Sequence, residues 1–174
     1  MEANLQTPTL YKSLFEYKAW ANTELLSLMQ SIDANTFPDI IHSALRGLNH
    51  AYVVDAIFKG HLLQVPHGYE STNTLATPSL QDLACSIRDL DAWYMAYAVS
   101  LAESALKEFI EFRFTDGDKG RMTREETLLH VITHGGYHRG QVGQILRGAA
   151  VLPPRDIFTR FLHATEPARR GIIP

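Results

Sequence analysis

Glu126 to Leu146 reads ETLLHVITHGGYHRGQVGQIL, and His130, His134 and His138 recur in it at every fourth position. On an α-helix that spacing stacks side chains along one face, about one turn apart. Val131, Gly135, Val142 and Ile145 fall beside the last two, which puts His134 and His138 on the stripe that faces inward. Two imidazoles at i and i+4 are placed to hold one metal ion between their ring nitrogens. Gly135 follows His134, so the H-E-x-x-H pattern of zinc proteases is absent and no glutamate base accompanies the pair. A single histidine is by default a surface or satisfied core residue. Two on an apolar face leave nitrogens that need partners, and a third ligand has to come from elsewhere. Gly135 and Gly136 each cost roughly 1 kcal/mol in a helix interior relative to alanine, which marks close approach of another element or of a ligand. Arg139 and Gln141 flank the pair, facing either solvent or a pocket entrance.

Upstream of this helix, Thr123-Arg-Glu-Glu126 is a capping box, and downstream Gly148 suits the position after the last turn. Before the box, Ile110, Phe112 and Phe114 alternate with Glu111, Arg113 and Thr115, the period of a strand, and Asp116-Gly117 offers a tight turn. A short hairpin with a poor return strand is expected there. Further back, Leu83, Ile87, Leu90, Tyr94, Tyr97, Leu101 and Ala105 alternate in threes and fours. They predict a third helix from a Ser79 cap to about Lys107. A second helix is expected from an Asp39 N-cap to Leu63, with His50 on its inward arc near Val53 and Ile57. The first spans Leu10 to Ile32, on a stripe of Leu14, Ala21, Leu25, Leu28 and Ile32. Gln64 to Pro78 is a long connection rich in turn residues, and Pro153-Pro154 separates the fourth helix from a short turn over Asp156 to Leu162. These elements predict an all-α four-helix bundle with a short β-hairpin between helices 3 and 4, as one domain over positions 1–174 with a loose tail from 164 to 174.

Composition narrows the function. Of 174 residues 45% are apolar and 20% charged, as in globular proteins with a real core. The net charge of -3, without a Lys/Arg run, argues against nucleic acid as a partner. A lone Cys85 makes no internal disulfide. The N-terminus lacks the basic-then-apolar pattern of a signal peptide, and no apolar run is long enough for a membrane span. A cytoplasmic protein is expected, with no membrane partner.

Several motifs, in order, resemble the DinB family of metalloenzymes. His134-Gly-Gly-Tyr-His138-Arg139-Gly140-Gln141-Val142 is similar to its fourth-helix signature of two histidines followed by Arg-Gly-Gln. Leu48-Asn49-His50-Ala-Tyr-Val-Val-Asp55 resembles its second-helix motif, and Tyr17-Lys-Ala-Trp20-Ala-Asn22 its opening helix. The stretch from Phe112 to Arg124 resembles its hairpin, and Pro153-Pro154-Arg-Asp156 its closing segment. The resemblance covers nearly the whole chain. It implies a metal triad of His50, His134 and His138, with His130 left out. In the family pattern a Leu usually precedes the second-helix histidine; Asn49 stands here, a departure expected to leave ligation unaffected. Asp55 is read as a surface charge rather than a partner of His50.

Three neutral histidines leave a fourth position open, as in catalytic rather than structural zinc sites. The ion implied is divalent, zinc or nickel first, since nitrogen ligands suit zinc, nickel, copper or iron. Some members of the family are transferases or isomerases that use low-molecular-weight thiols. The resemblance therefore implies a metal-dependent thiol transferase or a hydrolase acting on a small molecule; the alternative is a non-catalytic metal-binding, stress- or damage-inducible protein. It also implies a homodimer, with which an exposed Trp93 is compatible.

Overall fold

Thr123 starts the helix that carries the histidines. Its hydroxyl accepts the Glu126 amide at 3.2 Å, and the Glu126 carboxylate accepts the Thr123 amide at 2.7 Å, so the expected capping box is formed on both sides. In the computed structural model, which describes residues 9–171, the chain runs α1 (Thr9–Gln30), α2 (Pro38–Leu63), α3 (Leu80–Ser100), α4 (Glu103–Leu106), β1 (Phe109–Arg113), β2 (Lys119–Thr123), α5 (Arg124–Gly148) and α6 (Phe158–Thr165). A 3-10 turn over Pro167–Arg170 follows. The first residues, where no leader is expected, and the end of the expected tail lie outside the described residues.

Several ends differ from expectation. α2 begins on Pro38, whose missing N–H costs nothing in a first turn, and Phe37 is the N-cap; Asp39 sits one step inside, where a carboxylate favours the helix N-terminus. The third helix stops at Ser100 because Leu101 and Ala102 turn extended, and α4 resumes only for Glu103–Leu106. Gly148 is still helical; the left-handed residue after α5 is Ala150, at φ 59°. The tail is ordered further than expected, since α6 reaches Thr165. The hairpin pairs over its full length, Phe109 with Thr123 through Arg113 with Lys119. The return strand is better than its sequence suggests because Phe112 lies over Gly120 directly across the ladder, where a Cβ would come within 2.4 Å of the ring.

α2 packs chiefly on α5 and α1 chiefly on α3, and the two pairs join as a four-helix bundle. α6 folds back onto α1, with Tyr17 and Trp20 against Phe158 and Phe161. Two apolar clusters fill the bundle. One, nearer the hairpin, holds Phe15, Phe58, Tyr94, Leu128 and Val131; the other holds Leu25, Met29, Leu83, Val142 and Leu146. Each such side chain stabilises by roughly 1.5–3 kcal/mol when fully buried. Between the clusters lies a polar waist of Lys18, Asn22, Asp55, Asp91 and Arg139, all buried. Trp93 is half-buried, not exposed: it stacks on Tyr97 at 4.8 Å, with the Lys59 ammonium 4.9 Å over its ring. No helix among the described residues is long and apolar enough to cross a membrane.

Candidate metal centre

At the waist, α2 and α5 bring His50, His134 and His138 together. One nitrogen from each ring lies within 4.8 Å of the other two, and all three residues are half-buried. The His138 and His134 Nε2 atoms are 3.0 Å apart. Nitrogens sharing a tetrahedral ion at bonds of about 2.0–2.1 Å stand about 3.3 Å apart, so this spacing needs little adjustment. The His50 ring centroid is 4.5 Å from that of His138 and 5.3 Å from that of His134. His50 Nδ1 lies 2.8 Å from the Thr72 carbonyl oxygen; a carbonyl can only accept, so in the neutral ring the proton sits on Nδ1 and the lone pair on Nε2.

The electrostatics favour neutral rings. Burial, then the neighbouring His138, His130 and His50 rings, pushes His134 down to about 3. Burial and His50 also push His138 down, against an opposing contact from Gln141. His134 Nδ1 is buried without a hydrogen-bond partner among the described residues. Three imidazole nitrogens converge here with no carboxylate or thiol in the group, which is the donor set a borderline divalent cation takes. The residues fit such an ion. His130 stacks on His134 at 5.3 Å and lies 4.6 Å from Phe58, but stands outside the convergent group.

The opposite side of α5 explains its glycine and its arginine. Lys18 Nζ sits 2.8 Å from Asp55 and 2.7 Å from Asp91. Asn22 donates to Asp91 at 2.7 Å and accepts from Arg139 at 3.2 Å, and Arg139 Nε donates to Asp156 at 2.7 Å. Tyr17 donates its hydroxyl to Asp156, and burial with that carboxylate raises Tyr17 to about 12. Asp55 is therefore buried, not a surface charge. Arg139 is buried as well and, of the two expected placements, takes the pocket one, lining the cleft beside Trp20 and Asp156. Gly135 is the close approach inferred from sequence: a Cβ there would meet Lys18 Cε at 3.1 Å and an Arg139 terminal nitrogen at 3.3 Å. Gly136 has open room, with nothing nearer than 3.8 Å. Burial works against the Lys18 ammonium, but Asp55 and Asp91 outweigh it and hold its pKa above the usual value. Burial raises Asp55 to about 6, and its Oδ1 has no partner among the described residues.

A cleft of about 310 Å³ lies between α1, α5 and the closing segment, lined by Trp20, Gly143 and Pro153. None of the three histidines lines it. It is an accessible hollow beside Arg139, while the donor set for an ion is not part of its lining, so the chemistry and this cleft do not coincide. Asn49, Thr72 and Asn73, which touch or flank the site, were not legible as site residues. The one available signal was a buried amide on the otherwise apolar arc of the second helix.

A helical bundle in which two facing helices converge three half-buried imidazoles fits a metal-binding protein of the bundle class. The chain belongs to the DinB family, whose model matches residues 1–170. It is similar to Protein DinB of Bacillus subtilis (strain 168), at 25% identity over 163 residues covering 88% of this chain and 94% of that protein. No solved structure matches the chain at a significant level.

Proposed function

We propose that His50, His134 and His138 ligate one divalent metal ion, zinc or nickel, and that the protein is a metal-dependent enzyme, a thiol-dependent transferase or a hydrolase, acting on a small molecule. The observation that carries this reading is a group of three convergent ring nitrogens from two helices with no fourth His, Cys, Asp or Glu in the group among the described residues. Structural zinc sites close their shells, usually with thiolates, whereas three-nitrogen sites keep a position for a reactant. When bound, such an ion acts as a Lewis acid that lowers the pKa of a thiol or water placed in that position.

This chain's own residues supply the rest. The Thr72 carbonyl fixes the His50 tautomer, and burial keeps His134 and His138 uncharged at neutral pH, each with one ring nitrogen unprotonated. Cys85 is exposed and stands apart from the group, so the thiol in this reading comes from a second small molecule. A reducing cytoplasm would provide one. A homodimer remains part of the reading: Leu129 and Tyr137 are exposed on α5, and light scattering tests whether a second copy covers them.

The deciding experiment is metal analysis of untagged protein, followed by a screen of small thiols with electrophilic substrates on zinc- and nickel-loaded samples. Bound metal with thiol turnover supports the reading. Bound metal held by a fourth protein ligand, without turnover, favours a non-catalytic metal-binding protein. Protein that takes up neither ion sinks both.

A further inference from the structure

Asn49 interrupts an apolar arc immediately before His50 and is 2% exposed. Its side-chain amide points not at the metal centre but into the long connection between α2 and α3. Asn49 Nδ2 donates to Asn73 Oδ1 and, at 2.7 Å, to the Thr74 hydroxyl. Asn73 returns its own amide to the Arg46 carbonyl at 3.1 Å, and Arg46 donates to the Thr74 carbonyl at 2.6 Å. Thr74 donates onward to the Ala76 carbonyl at 2.7 Å. The connection is thus clamped to one turn of α2 at positions 73 and 74. The residue just before the clamp is Thr72, whose carbonyl accepts the His50 Nδ1 proton.

We infer that Asn49 is a positioning residue of the metal centre, acting through Asn73 and Thr74 to hold the Thr72 carbonyl on His50. An irregular connection has no ladder to fix its carbonyls, so a carbonyl held at 2.8 Å from a ring needs an anchor close by in sequence. Without that acceptor the His50 proton is free to move between Nδ1 and Nε2, and a ring protonated on Nε2 presents no lone pair to the cluster. Substituting the common apolar residue at position 49 would leave helix packing intact while cutting the relay. This inference rests on the ligation reading above, so its test reads the ring with and without metal.

Full-length, untagged Asn49→Leu, Asn73→Ala and the double variant are compared with wild type in two measurements. The first is the ¹⁵N chemical-shift pattern of His50 in metal-free protein. The second is Zn²⁺ affinity by chelator competition. The expected result is a single Nδ1–H tautomer in wild type, a tautomer mixture in each variant, and an affinity loss of about tenfold or more. The double variant is expected to lose no more than either single one, because both break the same relay. An unchanged tautomer in Asn49→Leu overturns the inference, as does a changed tautomer with unchanged affinity. A purely structural asparagine would lower the unfolding midpoint and leave the tautomer alone. Failure of the ligation reading looks different: wild type itself would not take up Zn²⁺, or would keep it after His50→Ala, while the tautomer still shifted. Should Asn49→Leu fail to fold, Asn73→Ala, in the connection, carries the same two readouts.

Discussion

Two polar groupings share the waist of this bundle, on opposite faces of α5, and they solve burial in opposite ways. On the α1 and α3 side, Lys18, Asp55, Asp91, Asn22, Arg139 and Asp156 form a ladder of opposite charges and amides at 2.7–3.2 Å. It is largely satisfied by its own members. On the α2 side, three imidazoles aim ring nitrogens at one another, with burial holding His134 and His138 uncharged. That group offers ring nitrogens to a cation and contains no charged side chain of its own among the described residues. Buried charge that is paired holds a scaffold together, whereas buried lone pairs that converge ask for a ligand.

The contrast is broken most severely at the histidines. His134→Ala or His138→Ala should remove most bound metal while the helical circular-dichroism signal persists, as read by elemental analysis of untagged protein. Unchanged metal in both variants would refute the assignment, and His130→Ala should matter far less. The ladder should respond in the reverse sense. Lys18→Met leaves two buried carboxylates facing each other and should destabilise by about 3–5 kcal/mol in urea unfolding. Metal per folded molecule should hold; if it vanished with the fold intact, the two groupings would be one unit.

A gentler test uses pH. Asp55 is raised to about 6 from 3.8, so the folded state binds its proton more tightly than the unfolded chain does. The stability this contributes is full below 3.8 and is lost as pH rises through about 6. Asp55→Asn lacks that loss. Its stability relative to wild type should climb across this window and be level on either side, in metal-free thermal melts. Smallest is the glycine pair. Gly136→Ala has room and should stabilise by up to about 1 kcal/mol through helix propensity. Gly135→Ala pushes on a Lys18 held between two carboxylates and should instead be neutral or destabilising by about 1 kcal/mol. Equal melting shifts for the two would mean that Lys18 yields freely.

The same contrast explains what could be read in the sequence. Caps and hydrophobic period are local, so the Thr123–Glu126 box, the hairpin and the four long helices were legible, as was the convergent histidine set once the family resemblance supplied His50. The ladder was not. Lys18 occupies the inward line of α1 through Phe15, Asn22, Leu25 and Met29, and its charge shifted part of the apparent stripe onto Leu14 and Leu28, which are only half-buried. Asp55 and Arg139 were ambiguous for the same reason: a charge is recognisable as buried only when its partner is known, and these partners come from other helices or from the closing segment. The end of α3 escaped because apolar spacing reports which side of a segment faces the core, not whether the backbone turns at Leu101.

Of all helix pairs in the molecule, α2 and α5 lie most intimately against each other, and it is these two that carry the ligands. A cation between positions 50 and 134 would therefore rivet a seam that is already closed. Its loss should leave the halves of the molecule docked, and its return should find the three rings waiting in nearly their final attitude, so uptake and release can be repeated without refolding.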